Sequence, residues 1–289
     1  MKIKIEKLNL QFQTILEKKM ECLKLPFSEY SFANLYLFRH LHNYEVLTVE
    51  KEIFIRGITR DHIPFIMLTS QPKDISKNLL DQAKQNVQMI FPVSEEWKSQ
   101  LTHLCMQASY KEEDSDYIYE SSKLATYPGR HLDGKRNQVK QFLEHYQVKI
   151  RPYDSQNGNL KICINHATEI LFNWQKEHQG DPNDFASCLE AINNMDELKL
   201  NGFIVYADGK PGGFIIGGRL NKDYYVVHFS KALHAIKGIY QYLYQKMAQR
   251  VQDDHKWINL EQDLGLAPLR ESKHSYHPAN MAIKWRMFF

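Results

Sequence analysis

A chain of 289 residues, 43% of them apolar, can fill two ordinary hydrophobic cores, which excludes a disordered tract. A formal net charge of +3 excludes nucleic-acid binding by bulk charge, so any polyanion site has to come from local clustering. The four cysteines, Cys22, Cys105, Cys163 and Cys188, form no Cys-x-x-Cys pair, and a reduced, cytoplasmic setting is expected.

Met1 to Leu10 alternates lysine with apolar residues and has no continuous apolar core, so no secretion signal is read there. Helical stretches start near Lys7 and Ser28, and strand-like runs follow at Tyr44 to Val49, Glu52 to Ile58 and Ile63 to Leu68. A helix from Asp74, a strand at Val87 to Phe91, a helix capped by Ser94 and a strand at Asp116 to Tyr119 complete the series. After a Pro-Gly turn and a basic helix the order returns. Helices start near Asn165 and Asn183, and strands run Phe203 to Ala207, Gly213 to Leu220 and Tyr224 to Ser230. A long helix from about His234, a strand at Trp257 to Leu260, a short helix near Ala267 and a strand ending at Phe289 close it. One order spelled twice predicts a duplicated α/β fold, with mixed, mostly antiparallel sheets flanked by helices and domains at 1–127 and 128–289. No window approaches the roughly 20 apolar residues of a membrane span. The closest, Phe203 to Gly218, is broken by Asp208 and Lys210.

In the second series, the turn signals Asp208-Gly209 and Asn221 to Asp223 predict an antiparallel meander. Ile236, Ile239, Leu243, Met247 and Val251 then recur at helical spacing and lay one apolar stripe on it. At the junction, Lys237 and Gly238 open a helix whose unpaired N–H groups and dipole suit a phosphate or an oxyanion. The competing reading is a glycine that allows close packing beside a solvated lysine. The strand at Trp257 opens into Glu261-Gln262-Asp263 at its carboxyl end, where open α/β sheets bind ligands. Glu261 suits a general base, or an ion pair; Asp263 suits catalysis, or a helix cap.

The basic helix carries Arg130, Lys135, Arg136 and Lys140, with Asp133 as its expected cap and Val139, Phe142, Leu143 and Tyr146 as its buried stripe. Cations in a first turn oppose the helix dipole, and a bound anion compensates; a solvated basic face is the alternative. His274 with His277, and His40 with His42, lack the partners of a metal site, so no metal is expected. Neither a Gly-x-Ser-x-Gly elbow nor a Gly-x-x-x-x-Gly-Lys-[Ser/Thr] loop occurs, which removes support for hydrolase and nucleotide-hydrolysing readings. Lys284 to Phe289 reads as a core-facing strand, with peripheral membrane contact as the alternative.

Several strings carry a family resemblance: Ser28 to Arg39, Asp116-Tyr-Ile-Tyr119, Pro128 to Asn137, Gly213-Phe-Ile-Ile-Gly217, Ile258-Asn-Leu-Glu-Gln-Asp-Leu-Gly265 and Ser275-Tyr-His-Pro278. Through them the chain resembles a bacterial family similar to the C-terminal domain of phosphatidylglycerol lysyltransferases. The resemblance implies a tandem GNAT-like acyl-CoA N-acyltransferase fold that moves an acyl or aminoacyl group to an amine or hydroxyl. The second copy is then expected to be catalytic, with substrates in a cleft between the copies. Glu261 is the expected proton acceptor, with Asp263 beside it and Tyr276 as the leaving-group acid. Arg130, Lys135, Arg136, Asn137 and Lys140 are expected to hold the phosphates of the donor, and Lys237 with the Gly238 N–H to steady the oxyanion. The donor is aminoacyl-tRNA or acyl-CoA. The pyrophosphate loop of coenzyme A-dependent relatives places a second small residue where Tyr240 stands, which weakens acyl-CoA. The alternative is a non-catalytic GNAT-like binding module for tRNA or an anionic metabolite.

Overall fold

The computed structural model describes residues 3–153, 160–177 and 184–289. The chain opens with β1 (Ile3–Lys7), α1 (Gln13–Glu21), α2 (Phe32–Leu37), β2 (Glu45–Val49), β3 (Glu52–Ile58) and β4 (Pro64–Leu68). It continues through α3 (Lys77–Ala83), β5 (Met89–Val93), α4 (Glu95–Leu101), β6 (Gln107–Tyr110) and β7 (Asp116–Glu120). Two helices, α5 (Ser121–Thr126) and α6 (Asp133–His145), lead to β8 (Val148–Pro152), α7 (Leu160–Glu177) and α8 (Phe185–Asn193). The rest comprises β9 (Asn201–Ala207), β10 (Lys210–Arg219), β11 (Tyr224–Ala232), α9 (Ile239–Val251), β12 (Trp257–Asn259), α10 (Ala267–His274), β13 (Asn280–Ala282) and β14 (Trp285–Phe288).

Among the described residues the strands form two seven-stranded sheets, ordered β1-β2-β3-β4-β5-β14-β6 and β13-β7-β12-β11-β10-β9-β8. Each has an edge strand on an antiparallel meander, then a parallel neighbour (β5 on β4, β12 on β11), then an antiparallel one (β14 on β5, β7 on β12). The two passages of sequence therefore build the same sheet, and the duplicated mixed α/β fold holds. Buried side chains make each core: β5 is buried throughout, as a strand enclosed on both faces should be, and Phe203, Ile204, Val205, Phe214, Ile215 and Ile216 fill the second. Ser94 caps α4 as expected, its Oγ accepting the Trp97 N–H at 3.2 Å.

The structure corrects several details. The sixth strand of each sheet comes from the other series: β7 joins the second sheet and β14 the first. The compact units accordingly divide at Tyr117/Ile118, not at 127/128. The first comprises Met1–Tyr117, Gln262–Leu269 and Met281–Phe289, and the second Ile118–Glu261 and Arg270–Asn280. The helix expected near Lys7 starts only at Gln13, because the alternating Ile3 and Ile5 make a strand. The long helix starts at Ile239, since Gly238 is left-handed at φ +85°. Asp133 lies inside α6 and forms no cap; it pairs instead with Arg136, one turn on. Leu143 is exposed, so the buried stripe of α6 is Val139 and Phe142. The helix start expected at Asn183 falls outside the described residues.

Candidate active site

In the second unit, β11 and β12 pair over only three residues, Tyr224 to Val226 against Trp257 to Asn259. β11 then runs on to Ala232 while the chain after Asn259 turns away. Two local features cause the parting. The register between β10 and β11 slips at Ile216/Gly217: Ile216 faces Phe229 and Gly217 faces Val227, which leaves His228 as the extra residue of a β-bulge. Such bulges re-aim a side chain, and Gly217 is needed opposite this one, because any Cβ there would strike the Val226 carbonyl and the Tyr225 ring. On β12, the Asn259 side chain accepts the Glu261 N–H at 2.6 Å, and Lys273 Nζ donates to the Leu260 and Glu261 carbonyls at 2.7 and 3.1 Å. These bonds hold Glu261 at φ +59°, a conformation that non-glycine residues avoid.

Bulge and turn bring two side chains together. His228 Nδ1 lies 2.8 Å from Glu261 Oε1, the imidazole fully buried and the carboxylate side chain 16% exposed. In the tautomer that protonates Nδ1, His228 donates this bond to the carboxylate oxygen. His228 Nε2 is buried and has no hydrogen-bond partner among the described residues. The dyad thus joins a buried orienting imidazole to a carboxylate that still reaches solvent. Farther along β11, Ser230 Oγ lies 2.7 Å from the Tyr244 hydroxyl. The Tyr240 hydroxyl accepts the Ala232 N–H at 3.1 Å and approaches the Ala232 carbonyl at 3.4 Å, filling the strand edge there.

A family model described as the C-terminal part of phosphatidylglycerol lysyltransferase matches residues 22–288, nearly the whole chain and all of the dyad's setting. The chain belongs to this family. A relative from Mycoplasmoides gallisepticum, an uncharacterised protein, is 24% identical over 175 residues; the match covers 58% of this chain and 54% of that protein, so the chain spans about half of its relative's length. Among solved structures, a conserved protein of unknown function from Bacteroides thetaiotaomicron superposes with a TM-score of 0.85 at 22% identity, over 100% of both chains. L-PGS from Bacillus licheniformis gives 0.64 at 13% identity, over 98% of this chain and 92% of that one. A tandem GNAT protein from the clavulanic acid biosynthesis pathway gives 0.51 at 8%, over 99% and 98%. The fold is that of the lysyltransferase C-terminal domain, a tandem GNAT-like fold.

The other residues singled out in this family member divide sharply. Asp263 is fully buried, accepting the Tyr117 hydroxyl at 2.7 Å and the Gly265 N–H at 2.8 Å, so it serves as a turn and packing anchor in the first unit. The Tyr276 ring is buried between Tyr127 and Tyr244, at centroid distances of 6.0 and 5.3 Å. Burial first, then the neighbouring tyrosines, holds its phenol well above the ordinary range, which suits a packing group better than an acid. Lys135 lies 4.0 Å above that ring and donates to Ser275 Oγ at 2.7 Å; half-burial lowers its pKa. Arg136 is spent on its own turn, donating to the Tyr127 and Gly129 carbonyls and pairing with Asp133. Lys140 pairs with Glu144 at 3.7 Å, while Arg130, Asn137 and Lys237 are exposed. Gly238 packs beneath α6: a Cβ there would collide with the Gln138 carbonyl and approach Phe142 Cβ to 2.9 Å. His228 escaped the sequence reading, because a bulge is a mismatch between two strands and leaves no periodic signal on one.

Proposed function

We propose that the chain is an acyl- or aminoacyltransferase whose second copy is catalytic. The observation that carries this reading is the Glu261–His228 dyad at the parting of β11 and β12. Among the described residues the first sheet has no equivalent: the β3–β4 register is unbroken, and Glu95, two residues past β5, is exposed and pairs with Lys98 at 3.1 Å. In the proposed reaction the acceptor amine or hydroxyl attacks the donor's carbonyl carbon directly. Glu261 takes the nucleophile's proton, the tetrahedral intermediate collapses, and the donor's hydroxyl or thiol departs with a proton from solvent. The β11 edge beyond Val226, beside which no strand lies among the described residues, is where backbone N–H donors for the oxyanion are sought.

Of the two donors, aminoacyl-tRNA is favoured over acyl-CoA. Gly238 is packed under α6, and Tyr240 stands where the second small residue of a pyrophosphate loop belongs, its hydroxyl on the Ala232 backbone. Arg130, Lys135 and Lys140 supply the phosphate contacts in this reading, with Asn137 beside them on α6. Arg136 is left out, since its guanidinium is already engaged. The same closed loop favours a second reading, a binding module for tRNA or an anionic metabolite.

Glu261→Gln separates the two. A transferase loses about 10²- to 10⁴-fold in kcat with donor affinity nearly unchanged. A wild-type protein that binds donor yet transfers nothing is the binding module. Titration with aminoacyl-tRNA and acyl-CoA at two salt concentrations reads the donor: RNA binding should weaken steeply with salt and on replacing Arg130, Lys135 and Lys140 together by alanine. RNA affinity indifferent to both would sink the tRNA assignment.

A further inference from the structure

β1 is the edge strand of the first sheet, and its outer side has no neighbouring strand among the described residues. Its register on β2 continues to Leu8, whose N–H bonds the Tyr44 carbonyl at 3.1 Å. By the alternation of an antiparallel ladder, Glu6 and Lys4 also turn their backbone groups inward, and Ile3, Ile5 and Lys7 turn theirs outward. The Lys7 carbonyl accordingly takes a hydrogen bond from Asn9 Nδ2 at 3.1 Å. Ile3 and Ile5 are 45% and 48% exposed on one face of this strand, and Lys4 and Glu6 stand on the other. Outward amides beside exposed isoleucines make a template for another strand.

We propose that this edge pairs antiparallel with β1 of a second copy of the chain, about a two-fold axis at Ile5, so that one sheet continues through two molecules. Three two-fold registers set at least two outward-facing residues of each β1 against those of its partner. An axis at Lys4 opposes lysine to lysine, and an axis at Glu6 opposes glutamate to glutamate. The axis at Ile5 sets each Lys4 against a Glu6 and Ile5 against Ile5. Those charge pairs fall at non-hydrogen-bonded positions, where facing Cα atoms approach to about 4.5 Å. Lys4 Nζ already lies 2.9 Å from Glu6 Oε2 within one chain, so the axis closes a ring of four alternating charges. Lysines on edge strands ordinarily prevent pairing; in this register each Lys4 meets a carboxylate and each Lys7 stands opposite Ile3.

Sedimentation velocity of the full chain at low salt, from about 1 µM to about 1 mM, is expected to show a monomer–dimer equilibrium. Ile5→Pro removes one outward N–H and leaves the β1–β2 ladder intact, and it should raise the dimer dissociation constant by about 10-fold or more. Lys4→Glu and Glu6→Lys should each weaken the homodimer by about 10-fold. Mixing those two variants should regenerate a dimer, because each supplies the charge the other lacks. A monomer mass throughout the range, a dimer indifferent to Ile5→Pro, or a mixture no tighter than its components would each overturn the proposal. Circular dichroism of every variant checks that the fold is kept.

Discussion

Glu261 shows how a few bonds hold one residue where it is chemically useful and conformationally costly. A left-handed glutamate costs on the order of 1–3 kcal/mol, and the Asn259 side chain and Lys273 ammonium on its own peptide groups offset that cost. What they secure is a carboxylate beside His228; in the proposed reaction His228 acts through Glu261 and is therefore a positioning residue. Removing its Nδ1 donor with His228→Leu should lower kcat by about 10- to 100-fold with KM little changed. His228→Asn places an N–H donor near the same point and should recover most of that loss; equal damage from both changes would reduce His228 to a packing role. Asp263 and Tyr276 carry the opposite lesson. Their residue types suited chemistry, but burial and committed hydrogen bonds assign them to support.

Among the elements, α9 depends on α6, a helix far earlier in the chain. Its first turn rests on Gly238, where a left-handed backbone and the close approach of α6 both exclude a side chain. Gly238→Ala should destabilise the protein by about 1–3 kcal/mol in urea unfolding. Gly134→Ala, inside α6 with no atom within 4 Å of the new methyl, should be neutral or stabilising by about 0.5–1 kcal/mol. If the two glycines behave alike, steric closure at α9 is not the reason for Gly238. The glycine signal itself was readable in the sequence, but its meaning was not: the close neighbour is a helix 100 residues earlier, which no local window reaches. By contrast, β3 and the Ser94 cap were legible residue by residue, because period-two alternation and a side-chain cap act within one turn or strand.

At the scale of the whole molecule, the exchange of β7 and β14 is tied to one buried cluster in the first unit. Asp116 opens β7, Lys284 immediately precedes β14, and Lys284 Nζ lies 2.6 Å from Asp116 Oδ1 and 2.8 Å from Glu29 Oε1. Ser28 adds its N–H to Asp116 Oδ2 at 2.7 Å. Burial opposes the lysine charge, but the two carboxylates outweigh it and hold the pKa of Lys284 above the ordinary range. Burial first, with the Asp116 charge added and Lys284 opposing, pushes Glu29 up to about 7. A carboxyl raised in this way binds its proton more tightly folded than unfolded. Its contribution to stability is therefore fully present below the unfolded value of 4.5 and is lost as pH rises through about 7. Thermal melts should show wild-type stability falling across this interval by on the order of 3 kcal/mol relative to Glu29→Gln, in which that part of the slope disappears. Parallel pH profiles for the two proteins would mean that Glu29 stays ionised throughout.

By itself the sequence determined the order of elements, its repetition, and a carboxylate at the end of a central strand, since each is written in periodicity, turn chemistry and caps within about a dozen residues. Only the tertiary structure decided which sheet receives β7 and β14, that His228 is the bulged residue facing Glu261, and that Arg136 is consumed by its own turn. Those outcomes depend on pairings between residues far apart in the chain, where many partners satisfy the same local pattern and packing selects one.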